Sequence, residues 1–156
     1  MNSSEIGCEL MEAIILIGLQ ATGKSTFYKE RFFKSHMHIN LDMLKTRRKE
    51  DILIEACIKA KQAFVIDNTN PSIEARKKYI DTAMEAGFAV IGYYFKSNLK
   101  EAIGRNANRN EQEIVPSIAI VRTNNKLVIP AYDEGFDKLY CVTIEEDNDF
   151  LVEELQ

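Results

Sequence analysis

A glycine-rich loop that directly follows an apolar run constrains this chain more than any other feature. Residues 13 to 17 are all apolar, as in a buried strand. They are followed by Gly18, four variable residues, Gly23, Lys24 and Ser25, which is the spacing of a phosphate-binding loop. The glycines let successive backbone N–H groups face one anion, and a helix that begins here adds its positive end. The sequence therefore predicts a nucleoside triphosphate site formed by Gly18, Leu19, Gln20, Ala21, Thr22, Gly23, Lys24, Ser25 and Thr26.

A second apolar run ends in an acid that suits a metal site beside this loop. We expect Lys24 to reach the β- and γ-phosphates and the Ser25 hydroxyl to occupy a coordination position of Mg²⁺. Asp67 ends the apolar run at residues 63 to 67, where phosphate-loop enzymes place the acid that holds Mg²⁺ directly or through water. Asn68 follows it instead of the water-activating Glu of an ATPase motor. Residues 124 to 127 also lack the Asn-Lys-x-Asp pattern that recognises guanine.

The length and composition predict one soluble domain. We expect residues 1–10 to be a flexible leader and residues 11–156 to be a single domain with its own core. The N-terminus lacks the basic start and apolar centre of a signal peptide, and no apolar run reaches membrane-spanning length. The three cysteines, Cys8, Cys57 and Cys141, are odd in number and form no C-x-x-C pair, which favours reduced thiols in a cytoplasm.

The charged residues are distributed unevenly. Residues 145 to 156 contain six acids and no base, although the whole chain has a net charge of only −4. Residues 20 to 50 contain eight Lys or Arg residues and three acids. This basic density is either an ordinary solvated surface or a means of steering an anionic substrate toward the loop.

Strand and helix patterns alternate along the chain. Strands are predicted at 13–17, 36–41, 63–67, 89–95 and 139–144, and helices at 26–33, 44–62, 72–86, 98–108 and 116–126. The acidic tail is expected to form a last helical turn. This alternation predicts an α/β fold with a parallel sheet of about five strands sandwiched by helices.

Ligands of such sheets bind beyond the carboxyl ends of the strands, where Gly18, Asp42 and Asp67 all fall. Asp42 is interpreted either as the base that deprotonates an acceptor hydroxyl or as the N-cap of the helix that begins at Met43. His36 and His38 have strand spacing, and structural or exposed histidines are favoured over a metal pair.

Several motifs together resemble the kinase domain of polynucleotide 5′-hydroxyl kinases. The resemblance covers about residues 13 to 144, and the Asp-Asn-Thr-Asn-Pro stretch at 67–71 is its most distinctive part. The other matching segments are the phosphate loop, His38-Ile-Asn-Leu-Asp42 and Glu134-Gly-Phe136. The resemblance implies the P-loop NTPase fold, with ATP and Mg²⁺ as cofactors and a DNA or RNA 5′ end as the hydroxyl acceptor.

The resemblance also implies roles for individual residues. Asp42 matches the general base, and Asp67 matches the acid near the metal. Arg105 and Arg109 lie where the family places the lid arginines that clamp the donor phosphates. Their i, i+4 spacing suits a clamp or a solvated helix face. The segment containing Pro130 and Glu134 is expected near the adenine.

The chain departs from the family pattern at two positions on the acceptor side. Leu41 stands where the family often has Arg, and Lys45 stands where viral members have Arg, although Lys cannot make the bidentate phosphate contact that Arg makes. A small-molecule or nucleoside kinase therefore stays an alternative, as does a non-catalytic nucleotide-binding module. No membrane or protein partner is predicted.

Overall fold

The computed structural model describes residues 11–156, so the expected leader at residues 1–10 lies outside the described residues. The strands are β1 Glu12–Ile17, β2 Met37–Ile39, β3 Phe64–Asp67, β4 Ala89–Phe95, β5 Lys138–Ile144 and β6 Phe150–Glu154. The helices are α1 Lys24–Arg31, α2 Leu41–Leu44, α3 Arg47–Ala60, α4 Ile73–Glu85, α5 Leu99–Ala107 and α6 Ser117–Lys126. A short 3-10 helix, Tyr132–Glu134, precedes β5.

The strands form one sheet in the order β2-β3-β1-β4-β5-β6. The first five are parallel to one another, which confirms the predicted α/β fold. The strand β1 lies between β3 and β4, and Ile15 is aligned with Ile66 on one side and Gly92 on the other. All carboxyl ends of the parallel strands therefore lie at the same edge of the sheet.

The helix expected in the acidic tail is wrong, because residues 150 to 154 form a sixth strand antiparallel to β5. Asn148 adopts φ 64° in the intervening turn, and its N–H donates to the Glu145 carbonyl at 3.0 Å. Phe150 and Val152 are partly buried, whereas Leu151 between them is exposed. This alternation with a period of two residues is typical of a strand and not of a helix.

The single helix expected at residues 44 to 62 is also wrong, because the chain breaks it into α2 and α3. Lys45 ends α2 with φ 72°, a left-handed conformation that a helix does not continue. The Thr46 side chain then caps α3 by accepting a hydrogen bond from the Lys49 N–H at 3.2 Å. The break turns the short helix α2 toward the carboxyl edge of the sheet.

Helices cover both faces of the sheet and hold β1 in place. On one face Phe27 and Tyr28 of α1 pack against Ile14, and on the other face Ile54 of α3 and Ile80 of α4 share a core with the opposite side of β1. Burying each such side chain stabilises the fold by about 1.5–3 kcal/mol. The phosphate loop therefore begins directly after a strand that is packed on both faces. Within residues 11–156, no helix combines the length and apolar character needed to cross a bilayer.

Candidate active site

The predicted site residues other than Gly18 and Leu19 line one cleft of about 1010 Å³ at the carboxyl edge of the sheet. The cleft is lined by residues 20 to 26 of the phosphate loop, by residues 40 to 43 at the start of α2, and by residues 67 to 71 at the end of β3 and beyond it. Arg105 and Arg109 line it from the side of α5. The expected convergence of the loop, the two carboxylates and the two arginines is therefore present in the folded chain.

Left-handed residues and long-range hydrogen bonds shape the phosphate loop. Ala21 has φ 60°, and Gly23, which caps α1, has φ 85°. A side chain at Gly23 would also meet the ring of Phe150, because a Cβ placed there lies 3.0 Å from it. The Gly18 N–H donates to the Thr69 carbonyl at 2.9 Å, which ties the start of the loop to the segment after β3.

Lys24 is a buried cation in this loop. Its Nζ donates to the carbonyls of Gly18, at 3.1 Å, and of Leu19. Burial lowers the pKa of Lys24 to about 8, while the carboxylate of Asp67 opposes this effect and the guanidinium of Arg109 adds to it. A phosphate beside Nζ would favour the charged form of Lys24.

Ser25 and Asp67 bring a hydroxyl and a carboxylate together. The Ser25 Oγ donates to Asp67 Oδ2 at 2.7 Å, and Asp67 is 2% exposed. Burial alone would raise the pKa of Asp67, but hydrogen bonds from His38 and Ser25 and the charge of Lys24 outweigh it and hold the pKa below its usual range. Two hard oxygen donors are a set that fits Mg²⁺, which takes its remaining ligands from phosphate and water.

The histidines at 36 and 38 bind different carboxylates. His36 Nε2 lies 2.7 Å from Glu12 Oε1, whereas His38 Nε2 lies 2.7 Å from Asp67 Oδ2. The ring of His38 also stacks on Tyr28 with the ring centroids 4.0 Å apart. His38 is therefore a partner of Asp67, the predicted metal ligand; sequence reasoning weighed His38 only as half of a metal pair or as a structural or exposed histidine and missed this contact.

Asp42 lines the cleft from the first turn of α2, and it is not the N-cap that the sequence left open. Asn40 caps α2, since its side-chain oxygen accepts from the Met43 N–H at 3.0 Å. The other end of the Asn40 amide donates to the Asp67 carbonyl at 2.7 Å. The carboxylate of Asp42 is therefore not used for capping, and its segment is attached to the end of β3.

Arg105 and Arg109 approach the cleft from different local structures. Arg105 lies in α5, whereas Arg109 follows the end of that helix, so the helical spacing assumed from the sequence is only partly correct. The loop between α5 and α6 is closed by the buried side chain of Asn106. Its amide donates to the Val115 carbonyl at 2.7 Å and accepts from the Val115 N–H at 3.0 Å. Arg109 Nε lies 3.8 Å from Glu113 Oε2, a weak contact that leaves the guanidinium available to an anion.

The segment that contains Pro130 and Glu134 packs along α4 and does not line the cleft, so its position does not support the expected contact with adenine. Arg76 of α4 is fully buried and makes two hydrogen bonds to Glu134, at 2.8 and 3.0 Å. It also donates to the carbonyls of Asn70 and Val128. The segment therefore supports the loop after β3 from outside the cleft.

Comparison with known proteins agrees with this geometry. Residues 14–126, which include the phosphate loop and both carboxylates, match the family described as the AAA domain. The chain belongs to the AAA domain family. The phosphate loop, Asp67 and the residues of α2 fall inside the matched region, whereas β5 and β6 lie beyond it.

Two curated relatives of this AAA domain bear names of polynucleotide kinases. The bifunctional polynucleotide phosphatase/kinase of Schizosaccharomyces pombe is 32% identical over 132 residues, which are 82% of this chain and 32% of that protein. A protein of Acanthamoeba polyphaga mimivirus, provisionally given the same name, is 31% identical over 149 residues, 90% of this chain and 35% of that protein. These relatives confirm the resemblance found in the sequence. The chain spans about a third of the length of these relatives.

Solved structures share the fold of this AAA domain at low sequence identity. Kti12 of Chaetomium thermophilum, solved with ADP-AlF3, has a TM-score of 0.64 and 15% identity over 87% of this chain and 92% of that chain. A gluconokinase of Sinorhizobium meliloti has a TM-score of 0.60 and 15% identity over 88% of this chain and 85% of that chain. Both confirm the P-loop fold.

Proposed function

We propose that this protein is an ATP- and Mg²⁺-dependent kinase. It transfers the γ-phosphate to a hydroxyl group, and the proposed acceptor is the 5′-hydroxyl of a DNA or RNA end. One observation carries the proposal: Asp42 lies in the same cleft as Lys24, the Ser25–Asp67 pair, Arg105 and Arg109. A protein that only binds a nucleotide needs the loop but has no use for a carboxylate on the acceptor side. The names of the two curated relatives support the choice of a polynucleotide acceptor.

The proposed reaction is a direct transfer in line with the leaving group. Asp42 takes the proton of the acceptor hydroxyl as its oxygen forms a bond to the γ-phosphorus, and the bond from that phosphorus to the bridging oxygen breaks to release ADP. Lys24, Arg105 and Arg109 stabilise the charge on the transferring group and on the leaving phosphates. Ser25 and Asp67 would hold Mg²⁺, which would supply positive charge beside the phosphates.

The cleft that contains Asp42 suits an anionic acceptor. Lys29, Lys45 and Arg47 line this cleft together with the exposed Met43. Cations spaced along a cleft favour a chain that carries several phosphates over a neutral metabolite. We also propose a cytoplasmic location, which Cys57 and Cys141 support because both are free thiols.

The first experiment measures transfer from γ-labelled ATP to a panel of 5′-hydroxyl DNA and RNA oligonucleotides, nucleosides and small alcohols. We expect label on the oligonucleotide 5′ end, with acceptor affinity that falls steeply as salt rises. Label on small molecules alone would replace the acceptor in the proposal with a metabolite. ATP binding without any transfer would contradict the kinase assignment.

The variant Asp42→Asn tests the base. It keeps the shape of the side chain but cannot accept the proton, so turnover should fall by roughly 10²–10⁴-fold while ATP affinity measured by calorimetry is unchanged. Asp133→Asn is the matched control, since Asp133 is exposed and lies outside the cleft. Wild-type turnover in Asp42→Asn would refute the assignment of Asp42.

A further inference from the structure

The turn that carries Asp42 is fastened to the sheet by two asparagine side chains. Asn40 joins the Asp67 carbonyl to the Met43 N–H, as described above. Asn68, the residue after the metal-binding acid, accepts a hydrogen bond from the Leu41 N–H on its Oδ1 at 3.0 Å. The Leu41 N–H is thus attached directly to the residue after β3, and the Met43 N–H is attached to the end of β3 through Asn40. The helix α2, which contains Leu41, Asp42 and Met43, has only four residues.

The opposite end of the Asn68 amide is bound by a buried carboxylate. Its Nδ2 donates to Glu50 Oε2 at 3.1 Å. Glu50 of α3 has no exposed surface. Its other oxygen accepts from Tyr79 Oη at 2.7 Å, from Lys78 Nζ at 3.1 Å and from Arg47 at 3.2 Å.

The chemistry of this contact dictates which way the Asn68 amide faces. The two ends of an amide have nearly the same shape, but one end donates and the other accepts. An ionised carboxylate only accepts, so Glu50 must face the NH₂ end of Asn68. The oxygen of Asn68 is then the end that meets the Leu41 N–H. A residue that could both donate and accept at position 50 would allow the opposite orientation, which leaves the Leu41 N–H facing a donor.

The partners of Glu50 show that the link serves more than one element. Tyr79 and Lys78 belong to α4, Arg47 and Glu50 belong to α3, and Asn68 follows β3. Three donors from the helices already meet the carboxylate. The fourth donor is Asn68, which lines the cleft. Through Asn68, the position of α3 fixes the position of the turn that carries Asp42.

We propose that Glu50 and Asn68 are positioning residues that hold the Asp42 turn in register with the phosphate loop. The proposal rests on the proposed kinase function, because the position of the turn matters only if Asp42 acts as the base. Neither residue touches the reacting atoms. Their contribution is to limit the movement of a base that must lie in line with the γ-phosphate, and a displacement of about 1 Å costs roughly 10²-fold in rate.

The variant Glu50→Gln separates the charge from the shape. Its Oε1 still accepts from Tyr79, Lys78 and Arg47, but its NH₂ faces the NH₂ of Asn68. Turnover should fall by roughly 10–100-fold. The affinity for Mg-ATP, measured by calorimetry, should stay within about twofold, because the phosphate loop is untouched. Glu12→Gln, which alters the partly buried carboxylate that binds His36 at the other edge of the sheet, is the matched control and should keep wild-type turnover.

Exchanging the two groups should restore the link. In the double variant Glu50→Gln and Asn68→Asp, the new amide donates to the new carboxylate, whose second oxygen accepts from Leu41. Turnover should recover at least tenfold over Glu50→Gln. Asn68→Asp alone, which sets two carboxylates against each other, should be the weakest of the set. A double variant no more active than Glu50→Gln, or parallel losses of turnover and ATP affinity, would overturn the proposal.

Amide hydrogen exchange tests the link without any acceptor. Protection of the Leu41 N–H should fall in Glu50→Gln and return in the double variant, while the amides of β1 keep their protection. If the wild type transfers no phosphate but Leu41 behaves in this way, the link stands and only the kinase function fails. Unchanged protection at Leu41 in Glu50→Gln would refute the link itself.

Discussion

The buried surroundings of Lys24 lower its pKa to about 8, so its charged form is less favoured there than in water. Lys24 is buried, and its Nζ is satisfied by backbone carbonyls that carry only partial charge. These hydrogen bonds stabilise the side chain inside the loop, but they do not fully offset the free energy of removing water from a full positive charge. A triphosphate would add to the counter-charge of Asp67, so Lys24 gains more from binding than an exposed lysine would.

The variant Lys24→Ala should weaken ATP binding by roughly 10–100-fold, since hydrogen bonds to charged groups contribute about 1.5–3 kcal/mol. Turnover should fall as well, because the same cation stabilises the transferring group. Calorimetric titration with ATP and Mg²⁺ measures the first effect. Lys34→Ala, which alters an exposed lysine beyond α1, is the control. An unchanged ATP affinity in Lys24→Ala would refute the interpretation of the loop.

The strand β6, which the sequence pattern assigned to a helical turn, packs against the phosphate loop. The ring of Phe150 meets Phe27 of α1 edge-on, with centroids 5.2 Å apart. It also lies against Gly23, where even a Cβ would be 3.0 Å from it. The loop therefore has the cleft on one side and an aromatic ring on the other, and we expect β6 to limit its movement.

The variant Phe150→Ala should therefore affect both stability and binding. It removes a partly buried ring and leaves a gap below Gly23, so the free energy of unfolding should fall by about 1–3 kcal/mol. ATP affinity should fall several-fold, since a looser loop must be ordered on binding. Denaturant unfolding and calorimetry measure the two effects. Leu151→Ala is the control because Leu151 lies on the same strand but is 41% exposed. Equal losses in both variants would contradict a specific role for the ring.

At the scale of the whole molecule, the buried carboxylate that joins α3, α4 and β3 also sets the response to pH. Burial alone would raise the pKa of Glu50, but hydrogen bonds from Tyr79, Lys78 and Asn68 outweigh it and hold the pKa below its usual range. The unfolded chain therefore binds this proton at a higher pH than the folded one. The stability that Glu50 contributes is present above its unfolded pKa of about 4.3 and is lost as the pH falls through the folded value.

Unfolding experiments between pH 6 and pH 3 should show this loss. The free energy of unfolding of the wild type should fall more steeply over this range than that of Glu50→Gln, because the amide does not titrate. Other carboxylates titrate in both proteins and cancel in the comparison. The difference between the two should be largest at pH 6 and should shrink toward pH 3. Parallel curves would mean that the pKa of Glu50 is not lowered in the folded chain.

Local patterns were sufficient for much of the fold, and they supplied the site residues that the proposed function uses. The spacing from Gly18 to Ser25 identified the phosphate loop because the backbone conformation that binds phosphate depends on neighbouring residues. Asp67 at the end of β3 and Asp42, three residues after the end of β2, lie at one edge because parallel strands share their direction. The alternation of strand and helix patterns along the chain indicated the sheet and its helices. The family resemblance added Arg105 and Arg109 to the predicted site.

What only the tertiary structure decided depends on residues far apart in the chain. The strand β6 forms because its backbone pairs with β5 and Phe150 packs beside Gly23, and neither partner is apparent from an acidic tail. The break at Lys45 and the amide bridges of Asn40 and Asn68 depend on groups at the end of β3. The sequence by itself determined which groups carry the proposed chemistry, because their spacing is local. The fold decided how the base is held, since buried hydrogen bonds form only after distant elements meet.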